Sequence, residues 1–249
     1  MADYNTIRTA QGSATRTGAI DAGLQAYMSK VYSLMAVGMA VTAAFAWGIA
    51  TMAVGPDGQA TQLGYAIYGS PLKWVIMFAP LLVVFGFGAA INRLSTQAAT
   101  MVFYVFAALM GLSISSIFLV YTSVSIVQTF LITAIAFAGL SLYGYTTKRN
   151  LSGMGTFLMM GLIGLIVAMI VNIFLQSPAM QFAISGIGVL LFAGLTAYDT
   201  QSIKNTYLQL AGSNDDFLGK SAIMGALTLY LDFLNLFMFL LQFMGQSRD

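Results

Sequence analysis

The sequence predicts an all-α integral membrane protein, a bundle of seven transmembrane helices, and three observations lead to this fold class. Of the 249 residues, 59% are hydrophobic and only 7% are charged, whereas a soluble domain carries about 25% charged residues. Lipid must therefore surround most of the chain, and a backbone in lipid satisfies its own hydrogen bonds as helices or a closed barrel. The apolar runs are about twenty residues long, as spanning helices require, and lack the alternation of barrel strands.

The first element along the chain is a polar segment. Residues 1–26 are rich in Thr, Ala, Gly and Arg, and we expect a disordered cytoplasmic tail there, with residues 27–249 forming a single seven-helix domain. A signal peptide is the weaker interpretation, because its charged region would be unusually long. The apolar run after Lys30 is also long enough to cross the membrane.

Seven apolar segments follow, separated by short turns and two longer connections. Pro178 is well placed at a helix start. The longer connections are residues 55–72, rich in turn-forming residues, and residues 204–218. Polar residues at the centre of the last segment leave a broken or re-entrant helix as an alternative to a full crossing. The predicted spans are residues 31–54, 73–93, 98–121, 125–146, 154–176, 179–203 and 219–245.

Small residues within these spans predict faces where helices approach closely in lipid. The glycines that mark such faces are Gly86, Gly88, Gly161, Gly164, Gly186, Gly188 and Gly194.

Positive charges test the number of spans. With the N-terminus in the cytoplasm and strict alternation, eight of the ten basic residues fall inside, whereas Lys73 and Arg248 fall outside, as the positive-inside rule expects. We therefore expect a multi-pass protein of the inner (plasma) membrane with a cytoplasmic N-terminus. The inner residues are Arg8, Arg16, Lys30, Arg93, Lys148, Arg149, Lys204 and Lys220.

The composition excludes several kinds of chemistry. The sequence has no Cys and no His, which removes thiolate nucleophiles, imidazole bases, haem and most zinc sites. It has no basic patch suited to nucleic acid. We therefore expect a protein that is not an enzyme and holds no cofactor. We expect it to interact with the lipid bilayer and not with nucleic acid.

Two acidic residues, Asp199 and Asp232, lie inside predicted spans. An ionised Asp deep in a spanning helix costs about 2.5–3.5 kcal/mol, so it normally faces the bundle interior and finds a partner. Helical spacing puts Thr196 on the face of Asp199, and Thr228 and Asn235 on the stripe of Asp232. We predict that the two carboxyls meet, with these three polar side chains in support.

Two carboxyls in contact away from water cannot both ionise cheaply, so they share a proton. Protonated, the pair joins two helices by a hydrogen bond; deprotonated, it repels and can bind a hard cation such as Ca²⁺, which prefers oxygen ligands. The structural alternative is that each Asp merely satisfies neighbouring Thr, Tyr or Asn groups. Arg93 also has two interpretations, a basic anchor at the membrane surface or a partner for Asp199.

Three stretches carry motifs that point to a known family. Residues 194–201 read Gly-Leu-Thr-Ala-Tyr-Asp-Thr-Gln, and residues 225–237 read Gly-Ala-Leu-Thr-Leu-Tyr-Leu-Asp-Phe-Leu-Asn-Leu-Phe. Residues 111–122 read Gly-Leu-Ser-Ile-Ser-Ser-Ile-Phe-Leu-Val-Tyr-Thr, followed by Thr133 and Ala134. Together they resemble the Bax inhibitor-1 family, the transmembrane Bax-inhibitor-motif proteins, and specifically its bacterial branch.

The resemblance implies a seven-helix fold with the last helix central in the bundle. It also implies a pH sensor of paired aspartates, here Asp199 and Asp232, and a passive, pH-sensitive leak of Ca²⁺ that these carboxylates would bind in passing. The family's bacterial leak protein pairs an arginine of the second span with the Asp of the sixth, a role for which Arg93 is the arginine available. Some members associate with cell-death or protease machinery.

Three functions therefore compete. The leading hypothesis is a Ca²⁺-permeable leak gated by the aspartate pair. An intramembrane aspartyl protease is disfavoured. Proteases of that class resemble one another in a Gly-x-Gly-Asp motif at the second aspartate, whereas Leu-Tyr-Leu precedes Asp232 in this sequence. The third is a membrane-embedded regulator that binds a membrane protease or another membrane partner through the polar tail or the 204–218 segment.

Overall fold

The structure, a computed structural model, describes residues 3–212 and 214–248, with side chains in the first helix described from Ile20 onward. Seven long helices each contain a stretch long and apolar enough to cross a membrane, so the predicted all-α seven-span fold is confirmed. The helices are α1 Asp3–Ala53, α2 Leu72–Ala90, α3 Thr96–Ile114, α4 Ser123–Thr146, α5 Ser152–Leu175, α6 Pro178–Leu210 and α7 Asp215–Met244.

Local capping explains why several of these helices begin and end abruptly. The side chains of Ser95, Thr122 and Ser177 each accept a hydrogen bond from a backbone N–H in the first turn of the following helix, which satisfies one of its unpaired donors. Pro178 occupies the first turn of α6, as predicted. Gln176 adopts a left-handed backbone, with φ of 50°, and ends α5.

The connection between α6 and α7 is shorter than the sequence indicated. Helix α6 continues to Leu210 and α7 begins at Asp215, so helix occupies most of the 204–218 segment predicted as a loop. The cause is tertiary packing: Tyr207 is buried near the end of α6, and its ring centroid lies 5.0 Å from that of Tyr27 in α1.

Two other boundaries also differ from the expectation. The 55–72 connection contains a short helix, Gln62–Gly64, and a π-helical turn, Tyr65–Gly69. The first span was predicted to begin at residue 31, but α1 continues N-terminal to that residue and Leu24 is buried in the core. The side chains of residues 1–19 lie outside the described part, and the disordered cytoplasmic tail over residues 1–26 stays a prediction.

Helix α7 lies at the centre of the bundle. It contacts α1, α3, α4 and α6, and 67% of its most apolar stretch is buried, against 17–39% for the other six helices. It is unbroken from Asp215 to Met244, which makes it about 45 Å long and long enough for a full crossing. The central position of the last helix is therefore confirmed, and the re-entrant alternative has no support.

Close helix approach occurs at some of the predicted glycines. Gly161, Gly186, Gly188 and Gly194 lie against side chains of neighbouring helices. At Gly86, Gly88 and Gly164, however, an added Cβ would meet nothing within 4 Å, so the predicted packing is wrong there. The reason is that α2 and α5 lie at the periphery, each packed mainly on one neighbour.

Because successive helices alternate in direction, basic side chains collect at one end of the bundle, which we call the basic end. Lys73 and Arg248 lie at the other end. Which side of the membrane the basic end faces stays a prediction from the positive-inside rule. The described basic-end residues are Lys30, Arg93, Lys148, Arg149, Lys204 and Lys220.

Candidate functional site

Asp199 of α6 and Asp232 of α7 meet inside the bundle. Asp232 is buried, with 4% of its surface exposed, and Asp199 is half-buried. Their carboxyl groups contact each other. Asp199 lies roughly 17 Å from the end of its helix at Leu210, and Asp232 roughly 26 Å from the start of its helix at Asp215, at 1.5 Å per residue. Because α6 continues to Leu210 instead of ending at residue 203, the two aspartates are closer in depth than the predicted spans indicated.

The contact between these carboxyls requires a proton. An ionised carboxylate only accepts hydrogen bonds, so the pair can be hydrogen-bonded only when one member is protonated and donates. Oδ2 of Asp232 is buried and accepts no hydrogen bond from a donor in the described part of the chain. Two ionised carboxylates would therefore leave a buried charge beside a like charge and without a donor, which is costly. One shared proton removes both penalties.

Apolar contacts seal the seam between α6 and α7 on either side of the pair. Toward the basic end, Gly225 of α7 lies against Ile203 of α6; toward the opposite end, Gly188 of α6 lies against the ring of Phe239. The absence of a Cβ at each glycine lets the two helices approach closely. The carboxyls therefore lie in the seam between these two close contacts.

The three predicted supporting side chains bond elsewhere. Thr196, Thr228 and Asn235 each donate to the backbone carbonyl four residues earlier in their own helix. This local bond competes with tertiary partners for hydroxyl and amide groups in helices. The polar stripe thus shares a helix face with the aspartates, but these donors are directed at the backbone and not at the carboxyls.

Arg93 lies away from the aspartate pair. It ends a 3₁₀ turn, Ile91–Arg93, that follows α2, and it is exposed. The described residues contain one ion pair, and it joins Lys220 to Asp216, with 2.8 Å between Nζ and Oδ2. Arg93 is therefore not paired with Asp199 here, and its position fits the surface-anchor interpretation.

A chain of hydroxyl groups on the other side of α6 was not foreseen from the sequence. The hydroxyls of Tyr32 in α1 and Ser141 in α4 lie 2.5 Å apart, and Ser141 lies 2.9 Å from the hydroxyl of Thr200 in α6. Thr200 donates in turn to the carbonyl oxygen of Thr196. The turn that carries Asp199 is thus tied to α1 and α4. Single hydroxyls on three distant helices leave no pattern by which to find them.

Helix α7 makes a second buried polar contact, also missed, on the face away from Asp232. The hydroxyl of Tyr230, which is fully buried, lies 2.6 Å from that of Thr42 in α1, and Thr42 can donate to the carbonyl oxygen of Ala107, 2.9 Å away. The rings of Phe103 and Phe106 meet the Tyr230 ring edge-on. A tyrosine in an apolar helix usually finds such a partner, and this rule was the available signal.

Gln201 is a further missed residue, and it fixes a connection instead of taking part in the pair. Its amide oxygen accepts from the backbone N–H of Leu151, and its amide nitrogen donates to the carbonyl oxygen of Arg149, both at 2.8 Å. The α4–α5 connection is thereby held against α6, two residues from Asp199.

Comparison with known proteins gives a consistent result over almost the whole chain. The family described as "Inhibitor of apoptosis-promoting Bax1" matches residues 24–249. The inner membrane protein YbhL of Escherichia coli K12 is 47% identical over 227 residues, 91% of this chain and 94% of its own length. A protein of Caulobacter vibrioides is 45% identical over 231 residues, 92% of each chain. Protein RP147 of Rickettsia prowazekii is 43% identical over 249 residues, the full length of both.

Proposed function

Since the chain belongs to the Bax inhibitor-1 family, we propose that it is a pH-sensitive calcium leak channel of the inner membrane, gated by Asp199 and Asp232. One observation carries the proposal: two carboxyls on neighbouring helices contact each other, and Oδ2 of the buried one finds no donor among the described residues. The name of the Escherichia coli relative, an inner membrane protein, supports the location.

The protonated pair closes the seam between α6 and α7. A shared proton gives a carboxyl–carboxyl hydrogen bond that joins α6 to the central helix. Loss of the proton replaces that bond by repulsion between like charges in a poorly solvated place. The two helices then separate where the pair had joined them. Asp199 is the more exposed member, so protons exchange with the pair through it.

The separated carboxylates attract a cation. Ca²⁺ takes 6–8 oxygen ligands, which can be carboxylates, backbone carbonyls and water. The two aspartates supply part of that set, and in the described residues no third acidic side chain joins them. Backbone carbonyls and water complete the shell, and such a partial site suits an ion that binds briefly and passes on. Ca²⁺ is therefore cargo in this scheme, with no resident cofactor and no catalytic step.

The test is Ca²⁺ flux through the purified protein in liposomes, followed with an internal indicator from acid to mildly alkaline pH. The wild-type leak should rise as the pair loses its proton, whereas the D199N/D232N double variant should leak without pH dependence. Asp216→Asn is the matched control, because it removes an exposed acid of the same helix α7 and should titrate like the wild type.

Two outcomes would count against the proposal. Unchanged pH dependence in the double variant would remove the aspartates from the gate. No leak above empty liposomes at any pH would favour the alternative function, a membrane-embedded regulator that binds a membrane protease or other membrane partner.

A further inference from the structure

A cavity of about 410 Å³ lies between α1 and α4, in the half of the bundle near the basic end. Its volume falls in the range of small-molecule sites, about 300–1,000 Å³. The cavity is a gap in the wall of the bundle, because α1 and α4 do not pack extensively on each other and the lining residue Leu142 is 63% exposed. In a bilayer, this gap opens toward lipid.

The lining of the cavity is amphipathic and uncharged. One part is apolar and suits an acyl chain, whereas the other offers amide and hydroxyl donors that suit the ester oxygens of a lipid. The apolar part includes Met28, Phe137 and Leu142, and the polar part includes Gln25, Ser29 and Tyr32.

A cation borders this cavity at the basic end. Lys204 of α6 is half-buried, and its Nζ donates to the carbonyl oxygen of Tyr145, 2.7 Å away. Nζ also lies 5.3 Å from the centre of the ring of Tyr145, which itself lines the cavity. An ammonium group has three donors, so two remain beyond the Tyr145 bond. Within the described residues, Lys204 has no carboxylate partner.

We propose that this cavity binds one anionic phospholipid, with its phosphate on Lys204 and one acyl chain in the gap between α1 and α4. Charge complementarity selects an anionic head group, since the lining is neutral and the bordering charge is a cation without an acidic partner in the described chain. The open apolar wall selects a membrane lipid over a soluble anion, which would contact Lys204 but leave the cavity unused.

The site also touches the hydroxyl chain described above. Tyr32 lines the cavity and bonds to Ser141, which bonds to Thr200 beside Asp199. Lipid binding does not depend on the proposed calcium leak, and it can be measured without any flux.

The experiment counts the lipids that stay bound to the full chain. The protein is reconstituted in phosphatidylcholine vesicles with a minor fraction of phosphatidylglycerol, extracted in mild detergent and examined by native mass spectrometry. The wild type should retain one phosphatidylglycerol in preference to phosphatidylcholine. Lys204→Gln should reduce that preference about fivefold, the equivalent of roughly 1 kcal/mol, whereas Lys204→Arg should keep it.

Two further variants locate the site. Lys148→Gln removes an exposed charge at the same end and should retain the preference. Ala138→Phe places a ring in the cavity from an exposed lining position and should reduce retention of both lipids, although Lys204 is intact. Equal retention of the two lipids by the wild type would overturn the proposal. So would an equal effect of Lys148→Gln and Lys204→Gln, full retention by Ala138→Phe, or displacement of the lipid by inorganic phosphate.

Discussion

Two buried polar contacts of α7 lie two residues apart and work in different ways. Tyr230 meets Thr42 of α1 through neutral hydroxyls, each with a partner. Asp232 faces another side of the helix, since successive residues turn by about 100°, and meets Asp199 of α6 with one oxygen unsatisfied. The first contact is complete at any ordinary pH, whereas the second is complete only with a proton. Burial alone does not make a switch; the contact must also gain or lose a donor.

The largest expected effect is on the neutral contact. Tyr230→Ala removes a fully buried ring packed against Phe103 and Phe106, and it should cost about 3–5 kcal/mol of the free energy of unfolding. The measurement is denaturant unfolding in detergent at several pH values. Tyr230→Phe, which removes only the hydroxyl, should cost about 1 kcal/mol. Both losses should be independent of pH, and a loss that varied with pH would break the distinction between the two contacts.

A smaller effect is expected where α6 and α7 approach each other in the half of the seam away from the basic end. A Cβ added at Gly188 would lie 2.6 Å from the ring of Phe239, whereas at Gly186 it would lie 3.5 Å from Phe243, an ordinary contact. Gly188→Ala should therefore cost about 1–3 kcal/mol, as overpacking does, and Gly186→Ala should be close to neutral. Unfolding of the two variants side by side is the check; equal stabilities would show that the seam yields without strain.

The smallest expected effect, about 1 kcal/mol for one hydrogen bond, distinguishes the two contacts most sharply. The hydrogen bond between the two carboxyls needs a donor proton, so its contribution is present at low pH and lost as the pH rises through the titration of the pair. In Asp232→Asn, the amide donates to Asp199 at any pH, and that part of the pH dependence should vanish. The readout is the unfolding temperature of both proteins against pH. A wild-type curve no steeper than the variant's would show that the pair is not a proton-linked contact.

The sequence was sufficient for features that depend on local composition and spacing. Apolar run length predicted the seven spans, and the cost of a charge in lipid identified Asp199 and Asp232 as interior residues. The sequence was not sufficient where tertiary contacts decide where a helix ends or which group a polar side chain bonds. Tyr207 extends α6 because it packs on Tyr27, and Thr228 bonds its own backbone instead of a carboxyl. Helical periodicity gives the face of a side chain but not its acceptor.

The central position of α7 has a consequence for biogenesis. Helices α1 to α6 leave the ribosome first and enter the membrane before α7 exists, as N-terminal parts of a chain generally precede later ones. Until α7 arrives, α1, α3, α4 and α6 surround the place that it will fill, and Thr42 and Asp199 lack the partners that α7 brings. Assembly of this bundle is thus a late event in translation. A chain truncated before α7 would leave Asp199 without the carboxyl that meets it in the finished bundle.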